Sequence, residues 1–303
     1  MSKVLQAHFY LFIVGAFYAI NYIVAKDIMP TYIGPSGFIF YRVLGATILF
    51  WIVHRFISTE RIDRSDWARV ALCALFGVAM NQLFFFNGLS LTTPINASVI
   101  MTSNPILVLL ASAVILKEKI TYRKSIGVGL GITGAVVLIV LPVLLGRESL
   151  AWTKGDSLGD VFIFINALSY GFYLILVKPL MRKYEAMTVI KWVFTIGCLY
   201  VFPFGIGEAI DVQWATMPTE IIWGVMYVVV CVTFLVYFLN VFAMKTLSPS
   251  VVSSYIYLQP VLAGALSIGL GREKLHWMQV LAALLIFSGV YLVSIRKKAP
   301  TAQ

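Results

Sequence analysis

Arg42 is the only formally charged side chain lying well inside a long apolar run of this sequence. An arginine at the centre of a membrane-embedded helix costs roughly 2.5–3.5 kcal/mol on insertion scales, so it is expected to face a cavity or a partner. It stands seven residues after Pro35, about 10 Å along a helix. Asn21, Asn81 and Gln82 fall within about one turn of the same depth, which makes a polar layer. The chemistry this suggests is recognition of an anionic group such as a carboxylate by a guanidinium. Nothing points to bond-making chemistry. There is no Walker loop, no HExxH and no GxSxG, and His8, His54 and His276 make no ligand spacing with one another. Cys73, Cys198 and Cys231 are odd in number and all fall inside apolar runs, where packing explains them. No catalytic residue, no metal site and no cofactor is expected, and the chain is read as not an enzyme.

A second constellation is duplicated. Asn104-Pro105 and Gln259-Pro260 are related by a shift of 155 residues. Each amide lies ten residues after another proline, Pro94 or Pro249, and so about 15 Å into its helix. Pro105 and Pro260 cannot donate to the carbonyls of Met101 and Ile256 one turn earlier. Freed carbonyls beside a carboxamide at one depth suit a polar cavity lining, with packing kinks as the alternative. Trp192, shifted by 150 from Arg42, and the phenols Tyr170 and Tyr255 are further candidates for the wall, because aromatic rings offer an apolar face with a polar tip.

The elements that must position these groups follow from composition. The chain has 303 residues, 60% hydrophobic and 12% charged, with a mean hydropathy of +0.92. A soluble domain carries about 25% charged residues, so a water-soluble fold is excluded. Ten apolar runs are long enough to cross a bilayer: 7–26, 35–56, 67–88, 94–116, 124–145, 158–178, 186–207, 219–243, 249–271 and 276–295. The first is read as a retained helix, because it exceeds a signal-peptide core and shows no small-x-small cleavage site. The connecting loops are too short to fold into domains. The fold class expected is an all-α membrane protein. The formal charge of +10 then reads as topology rather than as nucleic-acid binding. With both termini on one side, that side holds 17 cations against 5 on the other, which assigns the termini to the cytoplasm.

The chain also repeats itself. Under the shift of 155, Pro94, Ser98, Pro105 and Ser112 meet Pro249, Ser253, Pro260 and Ser267; under a shift of 152, Tyr18, Lys26 and Met29 meet Tyr170, Lys178 and Met181. Two ordered matches at nearly one shift divide the chain into units 7–145 and 158–296 of five helices each. Five is odd, so the second unit enters the membrane from the opposite side: ten helices in two inverted repeats, an architecture of secondary transporters with the solute near the midplane.

The stretch NASVIMTSNPILVLLASAVILKEKITYRKSIGVGLGITGAVVLI resembles the helix 4–5 signature of the EamA-type drug/metabolite transporter superfamily. SYIYLQPVLAGALSIGLGREKLHWMQVLAALLIFSGVYLV resembles its helix 9–10 counterpart. The resemblance runs from about residue 10 to 296 and implies a central cavity and export or exchange of small metabolites. The expected partners are a small-molecule solute and the lipid bilayer, with no nucleic acid, and the chain is a monomer or homodimer. The expected cargo is amino-acid-like or otherwise small and amphipathic, and the expected location a bacterial inner membrane. The alternatives are a multidrug efflux carrier and a non-transporting sensor or scaffold. One buried cation and no deep Asp or Glu argue against cationic cargo, and no loop is long enough for an output domain.

Overall fold

The computed structural model describes residues 2–57, 60–91, 101, 104, 107–108, 112, 117, 121–144, 157–269 and 277–294. Every regular element among them is a helix. Lipid offers a backbone no hydrogen-bond partners, so an apolar chain must satisfy its N–H and C=O groups within each segment. Helices α1 (Lys3–Ile28) and α2 (Pro35–Ile57) come first, and the Ser2 hydroxyl accepts from the Leu5 N–H at 3.2 Å to cap α1. Next come α3 (Trp67–Ala74), a π-helical turn over Leu75–Ala79 and α4 (Met80–Leu91), in one continuous rod. Then follow α5 (Tyr122–Leu144), α6 (Ser157–Lys183) and α7 (Ala186–Ile210). A second composite rod joins α8 (Thr219–Tyr227), a π-helical segment over Val228–Leu235 and α9 (Val236–Met244). The chain continues with α10 (Pro249–Ser254), a 3-10 turn at Tyr255–Tyr257, α11 (Leu258–Gly269) and α12 (Trp277–Ser294).

Six of these stretches are apolar and long enough to cross a membrane: Lys3–Asn21, Pro35–Phe56, Arg64–Leu91, Val161–Lys183, Ala186–Ile210 and Thr219–Met244. The expected run 249–271 is broken by its 3-10 turn just before Pro260, where that proline withholds a donor. Most of the expected run 94–116 lies outside the described residues; Met101, Asn104, Leu107, Val108 and Ser112 are helical.

Close approach of helices sets the frame. α2 runs along α7, where a Cβ on Gly205 would stand 2.6 Å from the Ser36 carbonyl oxygen. α5 and α12 meet through Gly127, Gly131 and Gly289, whose missing side chains let backbone touch backbone. The core is carried by fully buried rings and branched chains such as Phe38, Phe50, Phe194 and Tyr173. Outward-facing apolar residues, Phe56, Leu199 and Trp223 among them, suit a lipid belt.

One end of the bundle is tied across the two halves by charge. Lys183 reaches Asp63 at 2.7 Å and Asp66 at 2.6 Å, and the Tyr184 hydroxyl donates to Asp66 at 2.7 Å. The Glu185 N–H donates to the Glu60 carboxylate at 2.8 Å. The Lys183 hydrogen bond and charge hold the Asp63 carboxyl below its ordinary range. Nearby, the Lys178 ammonium donates to the carbonyls of Met244 and Leu247, capping the end of α9 from α6.

Candidate functional site

The polar groups of α6 and of the second composite rod recur at helical intervals. Asn166, Ser169, Tyr170 and Tyr173 follow i, i+3, i+4, i+7, and Thr233, Tyr237 and Asn240 follow i, i+4, i+7. Each set therefore occupies one helix face, and both faces turn inward. Asn166, Tyr170, Tyr237 and Asn240 from these faces meet the polar layer of α1, α2 and α4 around a cavity of about 100 Å³.

Arg42 lines this cavity and is only 3% exposed. Its Nε donates to Thr233 Oγ1 at 3.1 Å, and its Cζ lies 4.5 Å from the Phe86 ring centroid and 5.6 Å from that of Phe38. A charge-assisted hydrogen bond contributes about 1.5–3 kcal/mol. A desolvated cation–π contact adds roughly 0.5–2 kcal/mol. Together these are of the size of the insertion cost of an arginine, about 2.5–3.5 kcal/mol, so the guanidinium is held without an acid beside it. No Asp or Glu occurs among the described residues lining the cavity. Arg42 Nη1 is buried without a hydrogen-bond partner among those residues, as are Asn21 Oδ1, Gln82 Oε1 and Asn166 Oδ1.

Asn21, Asn81, Gln82, Tyr170, Tyr255 and Gln259 line the same cavity. Tyr170 and Tyr18, partners under the shift of 152, both line it, and Met101 and Ile256, the residues one turn before the paired prolines, reach the lining too. Tyr255 sits in the 3-10 turn, with its hydroxyl 2.6 Å from His8 Nδ1. Two candidates are placed elsewhere. Asn104 is fully buried, but its Nδ2 donates to the Ala167 carbonyl at 2.7 Å, so it ties its helix to α6. Trp192 packs edge-on against Trp51 and Trp67, with the Lys191 ammonium over the Trp51 and Trp192 rings, away from the cavity, because a shift of 150 rather than 152 or 155 rotates a residue onto another helix face at about 100° per residue. Pro105 lies outside the described residues. The backbone of Pro260 belongs to α11.

Sequence reasoning missed Asn166, Asn240, Ser253 and Phe86, all in the lining, and Thr233 behind Arg42. For Asn166, Thr233 and Asn240 the helical spacing on α6 and the second composite rod was the available signal. The two π-helical segments carried none. Each wider turn presents backbone carbonyls to side-chain donors: Phe76 O accepts from Ser169 at 2.7 Å, Gly77 O from Tyr237 at 2.6 Å, and Val228 O from Thr233 at 2.8 Å.

An apolar helical bundle enclosing an amide- and phenol-lined cavity has the form of a membrane carrier for small molecules. The comparisons with known proteins agree. The model of the EamA-like transporter family matches twice, over residues 5–140 and 157–295, and the chain belongs to that family. An uncharacterized transporter of Archaeoglobus fulgidus is 24% identical over 87% of this chain and 89% of its own. The uncharacterized transporter YyaM of Bacillus subtilis is 24% identical over 87% and 85%, and a WAT1-related protein of Arabidopsis thaliana is 22% identical over 92% and 80%. A crystal structure only 18% identical in sequence matches with a TM-score of 0.74 over 94% of this chain and 95% of its own, a likeness of fold. The protein is thus a multi-pass membrane transporter with two EamA units, and not an enzyme.

Proposed function

We propose that the chain is a secondary transporter exporting or exchanging small amphipathic solutes that carry an anionic group, amino-acid-like metabolites first among them. Units 7–145 and 158–296 act as two inverted five-helix repeats that expose the cavity to each side of the membrane in turn. The protein works in a bacterial inner membrane with both termini in the cytoplasm, a reading supported by the 17 to 5 division of cations. The single observation that carries the solute class is Arg42: a buried guanidinium at the cavity with an unpartnered nitrogen and no acid among the described lining residues. A carboxylate would supply the missing acceptors, and phenols and amides the surface for the rest of the solute.

The test is flux in proteoliposomes given a panel of amino acids, organic acids and cationic dyes, with and without a pH gradient. Carboxylate-bearing solutes are expected to move and cationic dyes to be excluded. Transport of dyes alone would overturn the solute class, and no transport of anything by folded protein would overturn the whole reading. Arg42→Ala is expected to lower carboxylate flux at least tenfold, and equal rates would remove Arg42 from the site.

A further inference from the structure

Thr233 stands in the π-helical segment Val228–Leu235 and is fully buried. Its hydroxyl has one proton, donated to the Val228 carbonyl five residues earlier at 2.8 Å. Five residues is the spacing of a π turn, so the segment itself orients the hydroxyl. With the proton committed, the oxygen's lone pairs are what it offers Arg42, and Arg42 Nε donates to it at 3.1 Å. The bond joins α2 to the second composite rod. The guanidinium carbon lies over the Phe86 ring, 4.5 Å from its centroid, so the Thr233 bond and this ring contact fix the group at two points.

A guanidinium recognises a carboxylate through two parallel N–H groups on one edge, which makes its orientation a matter of affinity. Thr233 takes up Nε, and Nη1 has no partner among the described residues. The terminal Nη edge is therefore what remains for a bidentate ligand. We propose that Thr233 is a positioning residue for solute selectivity: by holding Nε it aims the terminal edge of Arg42 into the cavity and sets the preference for carboxylate-bearing solutes. This rests on Arg42 being the anion site.

The test is counterflow of radiolabelled leucine in proteoliposomes, with leucinamide, which lacks the carboxylate, as competitor. The readout is the ratio of leucinamide to leucine concentrations giving half inhibition, together with KM and maximal rate for leucine. Thr233→Val keeps the shape and removes the hydroxyl; it is expected to reduce that ratio about tenfold through KM, with the maximal rate within about twofold, tenfold being 1.36 kcal/mol. Thr233→Ser keeps the hydroxyl and is expected to stay within about twofold of the wild type on both measures. If Thr233→Val does not reconstitute as folded protein, Thr233→Ala removes the hydroxyl without adding bulk. An unchanged ratio in the hydroxyl-free variant, or an equal change in the serine variant, would overturn the proposal. Arg42→Gln separates the two levels: if it keeps the wild-type ratio, the anion-site reading fails, whereas its loss beside an unaffected Thr233→Val sinks only the role of Thr233. Wild-type protein that shows no preference for leucine over leucinamide sinks both.

Discussion

The two π-helical segments, Leu75–Ala79 and Val228–Leu235, are the same backbone device put to different uses. They stand 153 residues apart, within the 152 to 155 range of the internal repeat. In the first, the open carbonyls of Phe76 and Gly77 are taken by Ser169 and Tyr237 from the other half of the chain, and Gly77 lies against the Tyr173 ring. That segment is clamped. In the second, the Val228 carbonyl is taken by Thr233 from within the same segment, and the hydroxyl so fixed accepts from Arg42 at the cavity. A duplicated unit thus binds the opposite half of the chain through its π turn in one copy, and in the other holds the hydroxyl that accepts from Arg42. The side chains decide which, because a π turn only supplies acceptors.

The difference can be broken most severely at Gly77. A Cβ there would stand 2.6 Å from Tyr173 Cγ, so Gly77→Val is expected to destabilise by about 3 kcal/mol through overpacking. A lowered unfolding midpoint in detergent checks this, and a midpoint unchanged from the wild type would show that the first segment is not clamped. Tyr237→Phe removes the donor to Gly77 O and is expected to cost up to about 1.7 kcal/mol, the upper range for interhelical hydrogen bonds in membrane bundles. Denaturant titration of the two proteins side by side measures it. Ser169→Ala should cost about 0.6 kcal/mol, the mean for such bonds, while leaving the leucine to leucinamide ratio untouched, because Ser169 is not among the described lining residues. A change in that ratio would erase the distinction between the two segments.

The smallest effect is expected at the charged end that frames both rods. The Asp63 carboxyl is held low by the Lys183 hydrogen bond and then by its charge. A lowered folded value contributes stability above the unfolded value and loses it as pH falls through the folded one. Lys183→Met should therefore lower the unfolding midpoint slightly at neutral pH and converge with the wild type in acid below the normal carboxylate range. Divergence growing toward acid would contradict the pairing.

Much of the site was legible because its signals were local. Arg42 stood out as a charge in an apolar run, and Asn21, Asn81, Gln82 and Gln259 as amides at mid-helix depth, and all five reach the cavity. Asn104 was equally conspicuous, yet it spends its amide on the Ala167 carbonyl, a choice set by which neighbour lies alongside. Thr233 is one hydroxyl in a valine-rich run, with nothing local to single it out. Its bond to Arg42 depends on a widened turn and on a partner 191 positions away.

The sequence by itself determined the membrane class, the helical fold, the repetition of a unit and the polar residues at its middle. These follow from the length of apolar runs and from the cost of burying unpaired backbone and charge, which are properties of each segment alone. Only the tertiary structure decided that Arg42 is held by Thr233 and Phe86, that the first π turn is closed by Ser169 and Tyr237, and that Trp192 belongs to a tryptophan cluster. Those outcomes depend on the rotation of each helix about its axis, and at about 100° per residue a slip of one position exchanges one face for another.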